Sequence, residues 1–380
     1  MKKAFYIIFI LLFPASLMAQ TDTIPSISKL SFTSDFRFRI EQDWDSRKTD
    51  GSYRDDRTRL RYRLRAGFNY NHNHWASFGA RIRTGNPKKQ QDPQLTLGDG
   101  FKEFGTLPLG FEKIFFKAEY NGFVIWGGKN TFPFQKNNEL FWSDNVYPEG
   151  VFLKKEFNFQ SSLFNQLDIR GGHFIIVDRG SSFNADSHLQ ALQLNTVLFN
   201  QRIVLFPSFY QFKNIPNIPD GSDTFLFNYS IIHIGTKLKL SSKPLIHLEM
   251  DYYTNIEDYS SNDSIPSLFK NQKNGLIAAI GIGKLKEKGD WTFKLTYSNL
   301  QQYAAVDFLA QNDWARWDYS SYNSPDGRLT NFKGFEIVCG YMLENKLSLK
   351  MKYYLVNQIV AYGISKETGS RIRLDLDINF

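Results

Sequence analysis

The fold is decided by a stretch that alternates without an error, Arg59-Leu60-Arg61-Tyr62-Arg63-Leu64-Arg65-Ala66-Gly67-Phe68-Asn69-Tyr70. Successive side chains of a strand point to opposite faces, so this stretch predicts a strand with four arginines on one face and apolar side chains on the other. Four neighbouring arginines repel one another unless that face is wet. A half-exposed soluble sheet and a membrane barrel both provide one buried apolar face and one wet face.

The C-terminal stretch from Ser370 to Phe380 shows the same alternation. One face carries Arg371, Arg373, Asp375 and Asp377, and the other carries Ile372, Leu374, Leu376, Ile378 and Phe380. A last strand that closes on an aromatic residue resembles the signal by which outer-membrane barrels are delivered to their assembly machinery. We therefore predict that Phe380 is an assembly signal.

The N-terminus has the composition of a secretory signal peptide. Lys2 and Lys3 precede a short apolar run over 5–13, and a cleavage region follows over 15–19 (Ala-Ser-Leu-Met-Ala), in which Leu17 is larger than the ideal residue at its position. We predict cleavage after Ala19, with 20–380 forming a single domain in the outer membrane of a Gram-negative bacterium. An N-terminal membrane anchor is disfavoured because the apolar run is too short to span a bilayer.

The composition of the remaining chain agrees with a barrel. Beyond the signal there is no run of 18 apolar residues, so no spanning helix is predicted. The single cysteine, Cys339, cannot form an intramolecular disulfide. Aromatic residues make up 16% of the chain, including 35 Phe and 19 Tyr, as expected where aromatic girdles mark two membrane interfaces.

Alternating segments separated by turn residues recur along the whole chain. They predict strands near 30–44, 57–70, 75–84, 111–120, 123–129, 150–159, 166–177, 188–199, 201–212, 224–240, 244–256, 275–286, 290–301, 332–343, 346–358 and 369–380. The connections between them are alternately short and long, which is typical of outer-membrane barrels and has no reason to occur in a soluble sandwich. The predicted fold class is an all-β transmembrane antiparallel barrel of about sixteen strands, with fourteen or eighteen as open alternatives.

A barrel of this width cannot be filled by its wall residues, so we expect water inside and the charged strand faces turned towards it. The predicted basic wall consists of Arg37, Arg39, Arg59, Arg61, Arg63, Arg65, Arg81, Arg83, Lys350, Lys352, Arg371 and Arg373. Glu249 and Asp251 form a predicted acidic strip on the opposite side. Such a wall favours anions, unless its cations are neutralised by pairing with Asp35, Glu41, Asp375 and Asp377.

Several pieces between Arg54 and Gly150 occur in a family-like order and spacing. They are the arginine run 57–67, 83–86 (Arg-Thr-Gly-Asn), 92–93 (Asp-Pro), 96–101 (Thr-Leu-Gly-Asp-Gly-Phe), 126–130 (Trp-Gly-Gly-Lys-Asn), 133–134 (Pro-Phe), 142–144 (Trp-Ser-Asp) and 148–150 (Pro-Glu-Gly). Over these residues the chain resembles the putative porin family of Gram-negative outer membranes. The resemblance implies a general diffusion barrel without a catalytic group. The arginine run also resembles the alginate-export barrels, whose basic lumen passes a polyanion.

Other candidate sites have weaker signals. His72 and His74 lie in a predicted tight turn without a third metal ligand, so no metal site is expected. A barrel hydrolase would draw on residues in or beside one loop, namely Ser181, Ser182, His173 and His188. Without a nucleophile-elbow motif, polar lining is the better interpretation. The glycines at 281 and 283 lie within a predicted strand and lack phosphate-loop spacing.

Two loops carry further hypotheses. The best candidates for binding sugar rings are four aromatic residues of the longest loop, Trp314, Trp317, Tyr319 and Tyr322. Packing within the loop, or membership of an aromatic girdle, is their simpler role. The loop 130–148 is a candidate constriction that folds into the barrel, by analogy with general porins.

The sequence therefore predicts a passive porin for small polar solutes with an anion preference. A channel for an acidic polysaccharide or oligosaccharide, a barrel enzyme and an adhesion protein remain alternatives. The expected partners are membrane lipids and lipopolysaccharide, the barrel-assembly machinery and, as monomer or trimer, further copies of the chain. No cofactor and no nucleic acid are expected, because the cations are spread over sheet faces of an exported protein.

Overall fold

The structure is a computed structural model that describes residues 29–98, 105–180, 182, 184–218, 225–311, 313–314 and 329–380. Within these ranges the strands are β1 Leu30–Trp44, β2 Arg57–Asn71, β3 Ala76–Thr84, β4 Leu95–Thr96, β5 Leu109–Tyr120, β6 Phe123–Lys129, β7 Glu149–Asn158, β8 Phe164–Val177, β9 Ser187–Leu198, β10 Ile203–Pro216, β11 Leu226–Ser242, β12 Leu245–Asn255, β13 Asn274–Gly283, β14 Trp291–Leu300, β15 Phe332–Glu344, β16 Leu347–Gln358 and β17 Thr368–Asn379. One 3-10 helix spans Asp307–Leu309. The predicted signal peptide, residues 1–19, lies outside the described residues.

Sixteen of these strands form one closed antiparallel barrel. Each is hydrogen-bonded to its neighbours in the chain, and β17 returns to pair with β1 so that Phe36 lies opposite Ile378. The seventeenth, β4, is a two-residue segment that pairs with β2 from within the connection between β3 and β5. The predicted sixteen-strand barrel is confirmed. Closure gives every strand of the barrel a neighbour on both sides, as a sheet in hydrocarbon requires.

The connections differ in length between the two ends of the barrel. Long loops follow β1, β3, β6, β8, β10, β12, β14 and β16 at one end, which we call the loop end. Short turns join the other strands at the turn end, where β1 also begins and β17 finishes. The predicted short–long alternation is therefore confirmed.

The outer face of the barrel is an apolar belt. Even-numbered residues of β2 face outward, and Leu60 and Leu64 are each 42% exposed, whereas the odd-numbered Arg61 and Arg63 are buried inside. The same division holds on β12, where Met250 is exposed and its neighbours in the alternation are buried. Such a surface is stable only in an apolar surrounding. Among the described residues, no helix is long and apolar enough to cross a membrane.

Exposed aromatic side chains collect at the turn end, as expected for a girdle at a membrane interface. They include Tyr70, Trp75, Tyr120, Phe123, Phe157, Phe159, Phe199, Trp291, Tyr341 and Phe380.

One irregularity in the barrel wall affects its interior. Between β3 and β5 the register shifts, so that Ile82 pairs with Phe111 while Arg81 pairs with Lys113. The extra residue of this bulge is Glu112, which is only 1% exposed inside the barrel. A bulge changes the direction of a side chain without ending the strand pairing, and here it places a carboxylate among the arginines.

Candidate functional site in the barrel interior

The predicted basic residues come together on one side of the interior. Because β17 pairs with β1 and β1 with β2, the rows from β16 to β3 form a continuous surface. A cavity of about 480 Å³ lies against it. The cationic side chains that line this cavity are Arg37, Arg39, Arg57, Arg59, Arg61, Arg63, Arg65, Arg371, Arg373, Lys350 and Lys352. We call these eleven residues the basic wall; Arg57 is an addition to the predicted set.

Two predicted members lie inside the barrel but do not line this cavity. Arg83 donates hydrogen bonds to the backbone oxygens of Thr84 and Lys89, at 2.8 and 2.6 Å, and so holds the start of the following loop. Arg81 donates from Nε to Glu112 at 2.6 Å and from Nη2 to the Tyr147 hydroxyl at 2.7 Å. Both arginines therefore fasten loops to the wall.

The arginines of the basic wall are paired with carboxylates on neighbouring strands and loops. Arg39 and Asp375 form a two-point pair with distances of 2.5 and 2.8 Å. The further pairs are Arg37–Asp377, Arg57–Asp43, Arg59–Glu41, Arg61–Asp92, Arg63–Asp35, Arg65–Glu112, Arg371–Asp43 and Arg373–Glu41. Breaking a buried pair by removing one partner costs about 3–5 kcal/mol. The pairs Arg39–Asp375, Arg371–Asp43 and Arg373–Glu41 are buried on both sides, so they fix their side chains in place.

In several of these pairs the carboxylate lies deeper than the guanidinium group. Glu41 and Asp375 have no exposed side-chain surface, whereas Arg59 and Arg37 are 20% and 22% exposed towards the cavity. The carboxylates there lie against the barrel wall, and the guanidinium groups are nearer to water. Asp92 has the opposite arrangement, since it comes from a loop and is 50% exposed in front of Arg61.

The loop 130–148 crosses the interior. At one end Asn145 accepts a hydrogen bond of 2.7 Å from Arg65 Nη2 on β2. Towards its middle, Asn138 donates to Asp251 on β12 at 2.8 Å, and Asn137 donates to the same carboxylate at 3.1 Å. The loop therefore spans from the basic wall to the far side of the barrel, as the constriction hypothesis predicts.

Aromatic packing holds this loop against the far wall. Phe132 and Trp142 stack at 4.4 Å within the loop, and Phe141 stacks on Tyr253 of β12 at 4.8 Å. Inward-facing rings complete this core, among them Trp126, Phe152, Phe174, Tyr210, Phe212 and Tyr229. The interior is thus divided into a hydrophobic half under β6–β13 and a charged half beside the basic wall.

The two residues of the predicted acidic strip, Glu249 and Asp251, face inward and are buried. Asp251 points inward but is fully buried beneath the loop, where it also contacts Nε2 of His233 at 3.0 Å. Glu249 is buried between Lys237 and Lys294, at 2.7 and 2.5 Å. Asp251 is thus covered by the loop 130–148, whereas Glu249 is enclosed by its two lysine partners. The carboxylates that line the 480 Å³ cavity together with the basic wall come from loops and are Asp92, Glu139, Asp144 and Asp313.

A second loop segment, comprising 301–311 and 313–314, also folds inward. Gln91 donates to the backbone oxygens of Phe308 and Ala310, both at 2.7 Å, and Ser143 N donates to Leu309 O at 2.9 Å. Three connections from the loop end therefore meet inside the barrel. The segment ends at Asp313, whose carboxylate contacts Arg373 and Lys352 of the basic wall.

The loop carboxylates have different acidities. Burial raises the pKa of Glu139 above its ordinary value, and the negative charges of Asp144 and Asp313 raise it further. Burial alone would also raise the pKa of Asp313, but Arg373 and Lys352 hold that pKa well below its ordinary value. Glu139 therefore gains a proton before Asp313 does as the pH falls.

A second cavity, of about 400 Å³, lies beside the first. The two cavities share four lining residues, which are Glu139, Asp144, Asp313 and Lys352. The rest of the second cavity is lined by β14, β15 and the two inward loop segments.

The remaining candidates are not assembled into sites. Trp314 is buried against Phe332 and Tyr354, and the other aromatic candidates of that loop (317, 319 and 322) lie outside the described residues. Ser181 is also outside them. Within the described part of the chain, Nδ1 of His173 contacts Gln190 Nε2 at 3.4 Å, and Nδ1 of His188 contacts the backbone oxygen of Asp186 at 3.0 Å.

The last predicted residues lie where the strand pattern places them. His72 and His74 are exposed in a turn. Phe380 is 66% exposed at the turn end, and its backbone N–H donates to Ser34 O at 2.9 Å.

Sequence reasoning missed Glu112, Glu139, Asp144 and Asp313. The bulge at Glu112 has no signal in a period-two pattern. The loop 130–148 did carry a sequence signal for inward folding. Its residues Phe132, Phe134, Phe141 and Trp142 are too apolar for a connection exposed to water.

Comparison with solved structures shows the porin fold. OprB of Pseudomonas putida superposes with a TM-score of 0.56 at 12% identity, over 93% of this chain and 94% of that chain. OmpF of Salmonella typhi, solved with daunomycin, gives 0.53 at 11% identity over 92% and 97%. A triple mutant of the Rhodopseudomonas blastica porin gives 0.50 at 12% identity over 92% and 100%. At these identities the likeness concerns the fold alone.

No family model and no curated protein match the chain. The resemblance to the putative porin family therefore rests on the motifs between Arg54 and Gly150, and that to the alginate-export barrels on the arginine run.

Proposed function

We propose that the protein is a passive diffusion channel in the outer membrane of a Gram-negative bacterium, with a preference for small polar and anionic solutes. The observation that carries this proposal is the charged half of the barrel interior, where a cavity of about 480 Å³ lies against eleven cationic side chains. Ordered cations along a water-filled path favour anions. The apolar belt and the girdle at the turn end support membrane insertion.

The anion preference follows from the balance of charges at the cavity surface. Eleven cations and four carboxylates line it, while Glu41, Asp43 and Asp375 are buried behind the cations. An ion in the cavity is therefore closer to guanidinium groups than to most carboxylates. The field is weaker than that of unpaired arginines, since each arginine of β2 from 57 to 65 contacts a carboxylate.

The alternative channel for an acidic polysaccharide has less support. The arginines already have carboxylate partners, and two loop segments cross the interior, which leaves separate cavities of a size suited to small solutes. We also retain lipids and lipopolysaccharide, the assembly machinery and further copies of the chain, as monomer or trimer, as proposed partners.

Planar-bilayer recording of the purified protein tests the proposal. Stepwise ohmic currents should appear, with a reversal potential in a KCl gradient that indicates anion preference. The double variant Arg61→Glu and Arg63→Glu should shift the permeability ratio towards cations by roughly fivefold or more, because a unit charge at 4 Å in water contributes about 1 kcal/mol. Arg202→Glu, at an exposed turn, is the matched control.

The two parts of the proposal can fail separately. Absence of steady current would exclude a channel. Current with a reversal potential that the double variant leaves unchanged would exclude the basic wall as the source of selectivity.

A further inference from the structure

The outer face of the barrel carries a polar patch on three neighbouring strands near the loop end. His173 of β8 lies opposite Gln190 of β9, and Gln190 lies opposite Gln211 of β10. Phe174 and Phe212, which follow in the chain, are buried in the interior, so the alternation of the strands turns the polar side chains outward. Hydrocarbon offers no hydrogen bonds, and polar groups on this face therefore need a partner.

A groove of about 370 Å³ lies at this patch, and the side chains that line it face away from the barrel interior. We call it the outer groove. One row closer to the turn end, the same three strands carry Gly171, Leu192 and Phe209. Gly171 leaves room for the groove, because within 4 Å a Cβ atom there would meet only the backbone oxygen of Ala191, at 3.8 Å. The outer groove is thus polar towards the loop end and apolar towards the middle of the barrel wall.

The polar groups of the outer groove are accessible from outside. Gln190 is exposed and Gln211 is half-buried. Nε2 of Gln190 lies 3.4 Å from Nδ1 of His173, which is a long hydrogen bond, and the Gln211 carboxamide forms none with the described residues. Each carboxamide offers two donors and an accepting oxygen, so an occupant that both donates and accepts fits this end of the groove.

A cation lies beyond the polar end of the outer groove. Lys213 comes two residues after Gln211 on the same outward face of β10. It forms no ion pair with a carboxylate in the part of the chain that the structure describes. Its ammonium group can therefore bind a phosphate at the level of the membrane headgroups. The whole surface fits an occupant with an acyl chain, a linking group that donates and accepts, and a phosphate.

The linking group distinguishes two classes of membrane lipid. Glycerophospholipids attach their acyl chains through esters, which only accept hydrogen bonds, whereas lipid A also attaches chains through amides, which donate as well. We propose that the outer groove binds an amide-linked acyl chain of lipid A, the membrane anchor of lipopolysaccharide. The inference deepens the proposed partnership with lipopolysaccharide and rests on the proposed insertion, with the loop end in the outer leaflet.

Native mass spectrometry of the purified, delipidated protein with added lipid A tests the outer groove. The wild type should retain one lipid A per barrel, in preference to dimyristoyl phosphatidylglycerol. Gln211→Leu should weaken lipid A binding roughly two- to tenfold, the loss expected for a neutral hydrogen bond. Gln42→Leu is the matched control and should leave binding unchanged, because Gln42 faces outward near the loop end of β1 but lies between Thr58 and Ile372.

A second variant tests the shape of the outer groove instead of its hydrogen bonds. Gly171→Leu places a side chain in the groove, and its Cβ has room there, so the barrel should still fold. Lipid A binding should fall further than in Gln211→Leu. Heat-modifiable migration in electrophoresis shows that each variant is folded.

The outcomes separate the outer groove from the channel. Equal lipid A binding in the wild type, Gln211→Leu and Gly171→Leu overturns the groove, and so does an equal loss in Gln42→Leu. Phosphatidylglycerol binding that is as tight as lipid A binding and is lost in Gln211→Leu overturns the amide class of ligand. Dissociation of an oligomer in the groove variants, without lipid in the wild type, overturns the proposal in favour of a contact between copies. Lipid A binding that depends on the groove, in a protein without KCl steps, supports the groove and excludes the channel.

Discussion

Asn145 accepts a hydrogen bond of 2.7 Å from Nη2 of Arg65, and this contact joins the inward loop to the basic wall. Arg65 also contacts Glu112 at 3.0 Å, so the bulge on β5 and the loop 130–148 meet at the same guanidinium group. The width of the charged half of the barrel is thus defined by side chains from three separate parts of the chain. Contacts of this kind lead to predictions about how the interior controls permeation.

Removing an aromatic anchor of the loop should widen the path. Phe141 is 4% exposed and lies against Tyr253 and Tyr210, so Phe141→Ala should weaken loop attachment by about 3–5 kcal/mol. The barrel itself is held by strand pairing and should persist. We expect larger and noisier single-channel conductance.

Phe116→Ala is the control for that experiment, because Phe116 is 50% exposed on the outer face. Conductance in Phe141→Ala that matches both the wild type and this control would mean that the loop does not limit the current.

Neutralising Asp313 should strengthen the anion preference. Its carboxylate contacts Arg373 and Lys352, and Asp313→Asn leaves both cations facing the cavity without that charge. We expect the anion-to-cation permeability ratio to rise roughly two- to fivefold, from charges a few ångströms apart in water. Reversal potentials in a KCl gradient measure the ratio, with the exposed Asp258→Asn as control. A shift towards cations would contradict the assigned role.

Selectivity should also depend on pH through Glu139. Burial and the negative charges of Asp144 and Asp313 raise its pKa above the ordinary value, so Glu139 gains its proton at a higher pH than an ordinary glutamate does. Asp313, with a lowered pKa, stays charged over the same interval. Protonation removes one negative charge from the cavity, and the anion preference should therefore rise as the pH falls through the raised pKa of Glu139.

The same shift has a consequence for stability. A carboxyl group whose folded pKa is raised binds its proton more tightly in the folded state, so its contribution favours folding at low pH and is lost as the pH rises through that pKa.

Glu139→Gln should remove the pH dependence of selectivity and show the low-pH value throughout. A slope in reversal potential that persists in this variant would assign the dependence to another group.

Phe380 should matter for assembly more than for stability. Its backbone N–H bonds to Ser34 O, which Phe380→Ala retains, and its ring is 66% exposed. Refolding into detergent should be unchanged, whereas most of the folded protein should be lost from the outer membrane of cells. The heat-modifiable band in electrophoresis measures both. Equal loss in both assays would indicate a stability defect instead of an assembly defect.

The strands, and the side chains that each strand directs inward or outward, could be predicted from the sequence because period-two alternation is a local property. The run from Arg59 to Tyr70 places its arginines inside, and the terminal stretch places Asp375 beside Arg39 once β17 pairs with β1. Those features depend only on alternation and on closure of the barrel.

The interior could not be predicted in the same way, because it depends on where loops pack. Asp251 faces inward as its strand dictates, but its burial depends on Asn137 and Asn138 reaching it from a loop more than a hundred residues away in the chain. Asp313 lies in a loop without any periodic pattern, and its pairing with Arg373 depends on the path of the whole segment 301–314.

The aromatic core also separates two quantities that are usually treated as one. In an empty barrel the number of strands sets both the circumference of the wall and the bore of the channel. Here the strands set only the circumference, since rings such as Phe141, Trp142 and Tyr210 occupy much of the enclosed cross-section. The bore is therefore a property of side-chain volume, and a substitution in the core changes it without altering a single strand.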